Sequence, residues 1–182
     1  MKSADAQILM VPGLSTPDEA HWQSRWESRL KTARWVGHAE DPPDRTIRVE
    51  ALVAAVESAD KPVVLIAHSL GVLTVVFAAP RLNGRVAGAL LVAPPDVSAG
   101  ATAGGMAVTG YDDVPRDPLP FPSLLVGSAT DPHCTLAVAE DLAAAWGSGF
   151  ADAGDAGHLD KTSGHGPWPE GLTRFATLMS RL

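Results

Sequence analysis

Residues 62–71 read Pro-Val-Val-Leu-Ile-Ala-His-Ser-Leu-Gly, and this stretch decides the fold of the chain. Its first part is an apolar run typical of a buried strand, and residues 70–79 carry the apolar side chains of a helix. A strand that turns sharply through a serine into a helix forms a nucleophile elbow, with the pattern small-x-Ser-x-small. Ala67 and Gly71 are the small residues around Ser69. The alternative is that Ser69 is an ordinary helix N-cap.

Strands and helices are predicted to alternate along the chain. Apolar runs bounded by turn residues predict strands at 8–11, 34–36, 62–67, 86–93, 123–126 and 149–152. Helical spacing predicts helices at 49–59, 70–79, 136–146 and 169–181, and another that carries Trp22, Trp26 and Leu30 with Thr16 or Asp18 as its N-cap. This alternation is typical of an α/β fold with a mostly parallel sheet and helices on both faces.

The composition indicates one domain over residues 1–182 and excludes several classes of function. Apolar residues make up 46% of the chain, which is enough for a sizeable core. The formal net charge of −7 argues against a nucleic-acid partner, because phosphate binding needs a basic face. No apolar run is long enough to cross a membrane. The single cysteine, Cys134, and the absence of a signal-peptide pattern favour a cytoplasmic protein.

Two segments are predicted to lack regular structure. Residues 41–44, Asp-Pro-Pro-Asp, predict a turn. Residues 96–122 are rich in Gly, Ala and Pro and are a candidate for a mobile loop or a small lid. No large cap domain is expected, which suggests an open site.

Three side chains that can carry chemistry follow three of the predicted strands. Ser69 follows the strand at 62–67, Asp131 follows the strand at 123–126, and His158 follows the strand at 149–152. In open α/β sheets, functional sites form beyond the carboxyl ends of the strands. The chain order Ser, Asp, His is that of α/β-hydrolases. We therefore predict that these three residues meet at one edge of the sheet.

The chemistry of each side chain suggests its role. A serine hydroxyl is a weak nucleophile until an imidazole takes its proton, and His158 is the candidate for that base. Asp131 would hold the imidazole in its productive tautomer. The oxyanion would be bound by backbone N–H groups, of which Leu70 follows the nucleophile and Leu14 lies in the loop after the first strand.

Each of these predictions has an alternative. Asp131 precedes a proline and could be a helix N-cap or a turn residue, and His158 could be a solvated loop histidine. His165 is a rival candidate for the base. Asp152 and Asp155 are weaker candidates for the acid, because they share a loop with His158.

Other residues near the elbow are candidates for the pocket or the core. His68 precedes the nucleophile and is expected to shape the pocket. Trp22 is expected either in the core with Trp26 or in the pocket wall. Cys134 lies beside His133, but two ligands are too few for a zinc site. We therefore expect neither a metal nor a cofactor.

Three segments together carry a family resemblance that covers nearly the whole chain. They are Val-Pro-Gly-Leu at 11–14 with His-Trp-Gln-Ser-Arg-Trp-Glu at 21–27, the elbow at 67–71, and Gly-His-Leu at 157–159 followed by Ser-Gly at 163–164 and Trp-Pro-Glu-Gly at 168–171. The chain resembles the small single-domain serine hydrolases that include retinoblastoma-binding protein 9 and its bacterial relatives.

The resemblance implies a reduced α/β-hydrolase fold with a six-stranded sheet, and a triad of Ser69, Asp131 and His158 rather than His165. Trp168 is expected to pack the C-terminal helix under the loop that contains His158, here called the histidine loop. The chain departs from the family at Asp160, where Asn is frequent, and at 166–169, where Gly-Pro-Trp-Pro replaces Gly-Asp-Trp-Pro.

Three functional hypotheses follow. The first is a serine hydrolase that acts on a small-molecule ester or amide. The second is a protein-interaction module on a hydrolase scaffold, although the chain lacks the Leu-x-Cys-x-Glu segment that partner binding in this family usually invokes. The third is a lyase or transferase that uses the same serine. The sequence leaves the oligomeric state open.

Overall fold

A six-stranded parallel sheet forms the centre of the computed structural model, which describes residues 1–14, 17–37, 43–82, 84–98, 102–103 and 106–182. The sheet strands are β1 (Gln7–Val11), β2 (Ala33–Trp35), β3 (Val63–His68), β4 (Val86–Val92), β7 (Ser123–Gly127) and β8 (Gly149–Asp152). A separate antiparallel ribbon joins β5 (Thr102–Ala103) to β6 (Met106–Ala107). The order in the sheet is β2-β1-β3-β4-β7-β8.

Five α-helices cover the two faces of the sheet. They are α1 (Trp22–Glu27), α2 (Arg45–Glu57), α3 (Leu70–Ala78), α4 (Leu136–Ala145) and α5 (Pro169–Arg181). The core on one face joins α2, α3 and α4, and the core on the other face joins α1 and α5. Alternate strand residues supply the two cores: Leu65 points to the first and Ile66 to the second. The predicted α/β architecture, a six-stranded parallel sheet with helices on both faces, is confirmed.

The parallel arrangement brings the carboxyl ends of four strands to one edge. His68 pairs with Val92, Val92 pairs with Val126, and Gly127 pairs with Asp152 in the registers of β3, β4, β7 and β8. Strand β3 is buried along its whole length, as its continuous apolar sequence predicts. The loops that follow β3, β7 and β8 therefore begin side by side.

The starts of two helices differ from the sequence prediction. Helix α1 begins at Trp22 because the side chain of His21 accepts the N–H of Gln23, whereas Asp18 accepts the N–H of Ala20 in the turn before it. It ends at Glu27, one turn before Leu30. The alternative cap, Thr16, lies outside the described residues.

Helix α2 begins four residues earlier than predicted. It starts at Arg45 because the side chain of Asp44 accepts the N–H of Ile47. Asp44 was predicted to close a turn at 41–44, of which residues 41 and 42 lie outside the described part of the chain.

The stretch 96–122 is anchored to the core at several points. Val97, Val108 and Phe121 are buried, and Tyr111 is fully buried with its hydroxyl 2.8 Å from Thr74 Oγ1 on α3. The short β5–β6 ribbon within this stretch was not predicted. Residues 99–101, 104 and 105 lie outside the description, and a mobile lid stays a prediction. Within the described chain, no helix has the length and apolarity needed to cross a bilayer.

A substitution at Gly71 tests the close approach of α3 to β1. A Cβ at this position would lie 2.5 Å from the carbonyl oxygen of Val11 and 2.6 Å from that of Pro12. Both contacts are backbone atoms, so relief requires β1 to move. We expect Gly71→Ala to lower the free energy of unfolding by about 1–3 kcal/mol in urea titrations.

Gly37→Ala is the matched control. Among the residues that the structure describes, its Cβ would meet nothing closer than Ala51 Cβ at 3.9 Å, an ordinary contact. This control should be neutral or stabilising by up to about 1 kcal/mol. Equal stability of the two variants would contradict the proposed close approach.

Candidate active site

The backbone of Ser69 is strained at the turn from β3 to α3. Its φ is 54° and its ψ is −127°, a region that residues with a side chain rarely adopt. The N–H of Ser69 donates to the carbonyl of Val92 on β4, at 2.9 Å, which ties the turn to the neighbouring strand. The hydroxyl of Ser69 does not cap the helix. The ordinary N-cap alternative is therefore wrong, and the hydroxyl is available for another partner.

That partner is His158. The Oγ of Ser69 lies 2.9 Å from Nε2 of His158, and Nδ1 of His158 lies 2.9 Å from each carboxylate oxygen of Asp131. Because a carboxylate only accepts hydrogen bonds, Nδ1–H donates to Asp131, and Nε2 is left to accept the Ser69 hydroxyl. The side chains of His158 and Asp131 are 11% and 2% exposed. The structure thus brings together the three residues predicted from their positions after strands.

Asp131 also forms a turn in its own loop, because its Oδ1 accepts the N–H of His133 at 2.9 Å. The residue is therefore a turn residue, as the alternative stated, as well as the partner of His158. His165 is directed elsewhere: its Nδ1 lies 3.2 Å from Ser163 Oγ, and its ring packs on Trp168. Asp152 accepts the N–H of Gly154, and Asp155 is exposed.

Trp22 and His68 each donate a hydrogen bond to a backbone carbonyl of the histidine loop. Trp22 Nε1 donates to the carbonyl of Leu159 at 2.8 Å, and Leu159 is a buried residue with a φ of 50°. His68 Nε2–H donates to the carbonyl of His158 at 2.9 Å. These contacts fix the backbone that directly follows the His158 side chain.

The tryptophans form one packed cluster. The ring centroid of Trp22 lies 4.7 Å from that of Trp26 and 5.0 Å from that of Trp168, and Trp26 stacks on Trp168 at 5.8 Å. Trp22 is fully buried and does not line the cavity. This corrects the alternative that placed Trp22 in the pocket wall: its indole is enclosed by the other two rings. Trp168 packs beneath the histidine loop, as expected.

A cavity of about 250 Å³ opens beside the Ser69 hydroxyl. His68 lines it, as predicted, and so does Leu14. The described residues that line it are Gly13, Leu14, Pro17, His21, Gln23, His68, Ser69, His133, His158 and Asp160. Within the described chain, no group of His, Cys, Asp and Glu side chains is arranged to hold a metal ion.

Burial keeps the other imidazoles of this cavity neutral. Burial lowers the pKa of His21 to about 4 and lowers that of His68 well below its usual value. The pKa of His133 is lowered by burial and by the neighbouring His158. At neutral pH these three rings are hydrogen-bonding groups rather than cations.

The loop after β1 lies directly against the nucleophile. A Cβ on Gly13 would be 3.3 Å from Ser69 Cβ, so the chain passes Ser69 in van der Waals contact. Arg48 on α2 binds this loop through its backbone: Nη2 donates to the carbonyls of Pro12 and Gly13, each at 2.5 Å. In the described part of the chain, neither Leu14 N–H nor Leu70 N–H donates to a protein acceptor.

Sequence reasoning missed Arg48 and the contributions of His21 and Gln23. The side chain of Gln23 is buried and donates to the carbonyls of Val11 and Ile66, each at 3.2 Å, which joins α1 to the ends of two strands. One signal for Arg48 is present in the sequence: it stands at helical spacing with Leu52 and Val56, on the apolar stripe of α2.

The sheet order, the elbow and the aligned Ser, His and Asp define an α/β-hydrolase fold with a serine at the expected turn. The chain belongs to the serine hydrolase family, whose model matches residues 8–177.

Solved structures agree with this assignment. The chain is 32% identical to a protein described as a YdeN-like hydrolase from Pectobacterium atrosepticum, with a TM-score of 0.86 over 97% of this chain and 91% of that one. The YdeN protein of Bacillus subtilis has 17% identity and a TM-score of 0.74, over 96% and 99% of the two chains. A Bacillus cereus carboxylesterase shares the fold at 15% identity and a TM-score of 0.57, over 86% and 82%. A comparison with curated proteins gives no match.

Trp22→Phe tests whether the tryptophan cluster positions the histidine loop. The change leaves the buried carbonyl of Leu159 without its donor, which should cost about 1–3 kcal/mol of unfolding free energy. We also expect the reaction of Ser69 with a fluorophosphonate probe to slow by about 10- to 100-fold, because His158 loses its fixed position.

Trp146→Phe is the matched control. Trp146 is also buried, and its Nε1 donates to the carbonyl of Pro115 at 2.8 Å, on the other face of the sheet. The control should lose similar stability and keep its reaction rate. Equal rates for the two variants would exclude a role of Trp22 in positioning His158.

Proposed function

We propose that this protein hydrolyses a small carboxylic ester or amide through an acyl-enzyme formed on Ser69. The observation that carries the proposal is the continuous hydrogen-bonded line from Ser69 Oγ through the imidazole of His158 to the carboxylate of Asp131. An imidazole held in this way can take the hydroxyl proton as the oxygen attacks a carbonyl carbon.

In the first half of the reaction, Ser69 Oγ bonds to the carbonyl carbon and its proton moves to His158 Nε2. The imidazolium that forms is stabilised by Asp131, which keeps its own charge. The negative charge on the carbonyl oxygen is met by the N–H groups of Leu14 and Leu70. Removing one such donor in a related site typically costs about 10²–10³ in rate.

The same groups then release the leaving group and hydrolyse the acyl-enzyme. His158 gives its proton to the departing alcohol or amine, and the carbonyl reforms as an ester on Ser69. A water molecule then gives a proton to His158 and attacks this ester, and collapse of the second tetrahedral intermediate returns the proton to Ser69. The products are a carboxylic acid and an alcohol or amine, and the enzyme is regenerated.

The dimensions of the site suggest the size of the substrate. A cavity of about 250 Å³ lies just below the usual volume range of small-molecule sites and suits a short acyl or leaving group. We propose that residues 1–182 form one catalytic domain, because residues from Gly13 to Asp160 line the same cavity. With one buried cysteine and no possible intramolecular disulfide, we propose a cytoplasmic setting.

Substitution of the three proposed catalytic residues tests the function. We expect a fluorophosphonate to label Ser69 in the wild type, detected by mass spectrometry of the labelled peptide. Ser69→Ala should abolish labelling and lower kcat/KM for p-nitrophenyl esters by about 10³–10⁶-fold. Asp131→Asn should lower kcat by about 10⁴-fold, because the amide favours the wrong imidazole tautomer.

Ser180→Ala, an exposed serine on α5, is the control and should behave as the wild type. Matched p-nitrophenyl esters and p-nitroanilides of the same acyl groups will separate esterase from amidase activity. A folded wild-type protein that neither takes the label nor hydrolyses any ester or anilide would contradict the proposal and favour an interaction module.

A further inference from the structure

The charge of the cavity wall points to a property of the substrate. Of the described residues that line the cavity, Asp160 is the only one with a permanently charged side chain, since the others are apolar, neutral polar or imidazole. Asp160 follows His158 by two positions and lies near enough for the two side chains to interact electrostatically. The charge therefore lies in the wall of the cavity that Ser69 and His158 also line.

The two oxygens of Asp160 have different surroundings. Oδ1 accepts three hydrogen bonds, from Thr162 Oγ1 at 2.8 Å, from Ser163 N–H at 2.9 Å and from Ser163 Oγ at 3.0 Å. Oδ2 accepts none from the described residues. No described cation pairs with this carboxylate: the adjacent Lys161 instead pairs with Asp18 at 2.7 Å.

The hydrogen bonds also keep Asp160 ionised. Partial burial raises its pKa, but the donors from Thr162 and Ser163 and the nearby His158 outweigh that effect and hold the pKa at about 2. The neighbouring His21, His68 and His133 are neutral at pH 7, because burial lowers their pKa values. The cavity wall thus carries a carboxylate charge that no described lysine or arginine balances.

We propose that the site selects substrates with a positively charged group close to the scissile carbonyl, such as a protonated amine or a quaternary ammonium, and that the Oδ2 side of Asp160 binds that cation. This inference rests on the proposed hydrolase function and adds the substrate class. An anionic group at the same position would be repelled.

Asp160→Asn separates the charge from the shape of the loop. Asparagine keeps Oδ1 as the acceptor for Thr162 and Ser163, and it replaces the negatively charged carboxylate by a neutral amide whose NH2 group stands in place of Oδ2. A loop-shaping role alone would leave substrate preference unchanged in this variant. Asp155→Asn, an exposed acid in the same loop that does not line the cavity, is the matched control.

The experiment compares charged esters with neutral esters of the same shape. One pair places the charge on the acyl side: the p-nitrophenyl esters of glycine and propionic acid. The other places it on the leaving group: acetylcholine and 3,3-dimethylbutyl acetate. For each pair, the ratio of kcat/KM for the charged and neutral ester is measured in wild type and variant at low salt. Comparing these ratios cancels the intrinsic reactivity of each ester.

We expect Asp160→Asn to lower the charged-to-neutral ratio by about 3- to 10-fold in at least one pair, as a partly exposed charge pair predicts. Asp155→Asn should leave both ratios unchanged. Ratios unaffected by Asp160→Asn in both pairs would overturn the proposed substrate class. Failure of the proposed function looks different: hydrolysis of all four esters would then persist in Ser69→Ala.

A second, independent observation concerns Arg48. Its guanidinium is buried, with 6% of the residue exposed, and no described carboxylate pairs with it. Nη1 has no hydrogen-bond partner in the described chain. Burial lowers the pKa of Arg48, which reflects the cost of removing this charge from water. A buried cation without a counter-ion is expensive, and its partners here are the carbonyls of Pro12 and Gly13.

Peptide geometry connects the carbonyl of Gly13 to the proposed oxyanion donor, the N–H of Leu14. In a trans peptide the C=O and the following N–H point in opposite directions. The carbonyl of Gly13 faces Arg48, so the N–H of Leu14 faces away from Arg48. Gly13 itself passes within contact distance of Ser69. We infer that Arg48 is a positioning residue that orients the Leu14 N–H toward the oxyanion, an inference that also rests on the proposed function.

Arg48→Lys and Arg48→Met test this role. Lysine keeps the charge and N–H donors, but its ammonium sits on a shorter side chain and ends short of the position of Nη2, whereas methionine removes both charge and donors. We expect kcat to fall by about 10-fold in Arg48→Lys and about 100-fold in Arg48→Met, with KM changed by less than about 3-fold. The affinity for a trifluoromethyl ketone, which forms an oxyanion on Ser69, should fall by the same factors as kcat.

Arg45→Met, on the same helix with its guanidinium over the Phe77 ring, is the control for loss of an arginine. Circular dichroism will show whether each variant is folded. If Arg48→Met does not fold, Arg48→Lys alone tests the inference. A folded Arg48→Lys with kcat within about 2-fold of the wild type would overturn the inference. An equal loss of affinity for the ketone and for a product acid would also overturn it.

Discussion

The strained turn at Ser69 is the constraint on which the rest of the site depends. A residue held at φ 54° costs about 1–3 kcal/mol, so the surrounding structure must over-determine it. Two contacts do so: the N–H of Ser69 is bound by β4, and Gly71 allows the first turn of α3 to lie against the carbonyls at the end of β1. The same approach brings the loop after β1 against Ser69. One local geometry therefore presents the hydroxyl and positions the loop that contains Leu14.

The histidine loop follows the same principle on the other side of the cavity. Leu159 is also held at a positive φ, and its carbonyl accepts Trp22 Nε1, while His68 binds the carbonyl of His158. Ser163 packs closely against Gly157: a Cβ on Gly157 would lie 2.6 Å from Ser163 Cβ, so a side chain at this position would collide with it. Strain at both Ser69 and Leu159, each compensated by buried contacts, is the pattern expected of a preorganised reaction site. The tryptophan cluster thus supports the histidine loop without lining the cavity.

The sequence was sufficient where local patterns determine structure. Strand β8 and helix α5 have the predicted bounds, and Ser69, Asp131 and His158 meet because parallel strands align their carboxyl ends. It was insufficient where partners lie far apart in the chain. Arg48 binds the carbonyls of Pro12 and Gly13, which lie 36 and 35 positions away, and helical spacing alone does not reveal these partners. The cap of α1 by His21 is local, but histidine is not among the residues that usually cap helices.

A crystal structure of the phosphonate adduct on Ser69 would test the central claim most directly, because the phosphonyl oxygen stands in for the carbonyl oxygen of the tetrahedral intermediate. The proposed mechanism predicts that this oxygen lies about 2.7–3.1 Å from both amide nitrogens, of Leu14 and of Leu70, with the His158–Asp131 hydrogen bonds intact. An adduct whose oxygen faces solvent, or a histidine ring turned away from the phosphonylated serine, would contradict it.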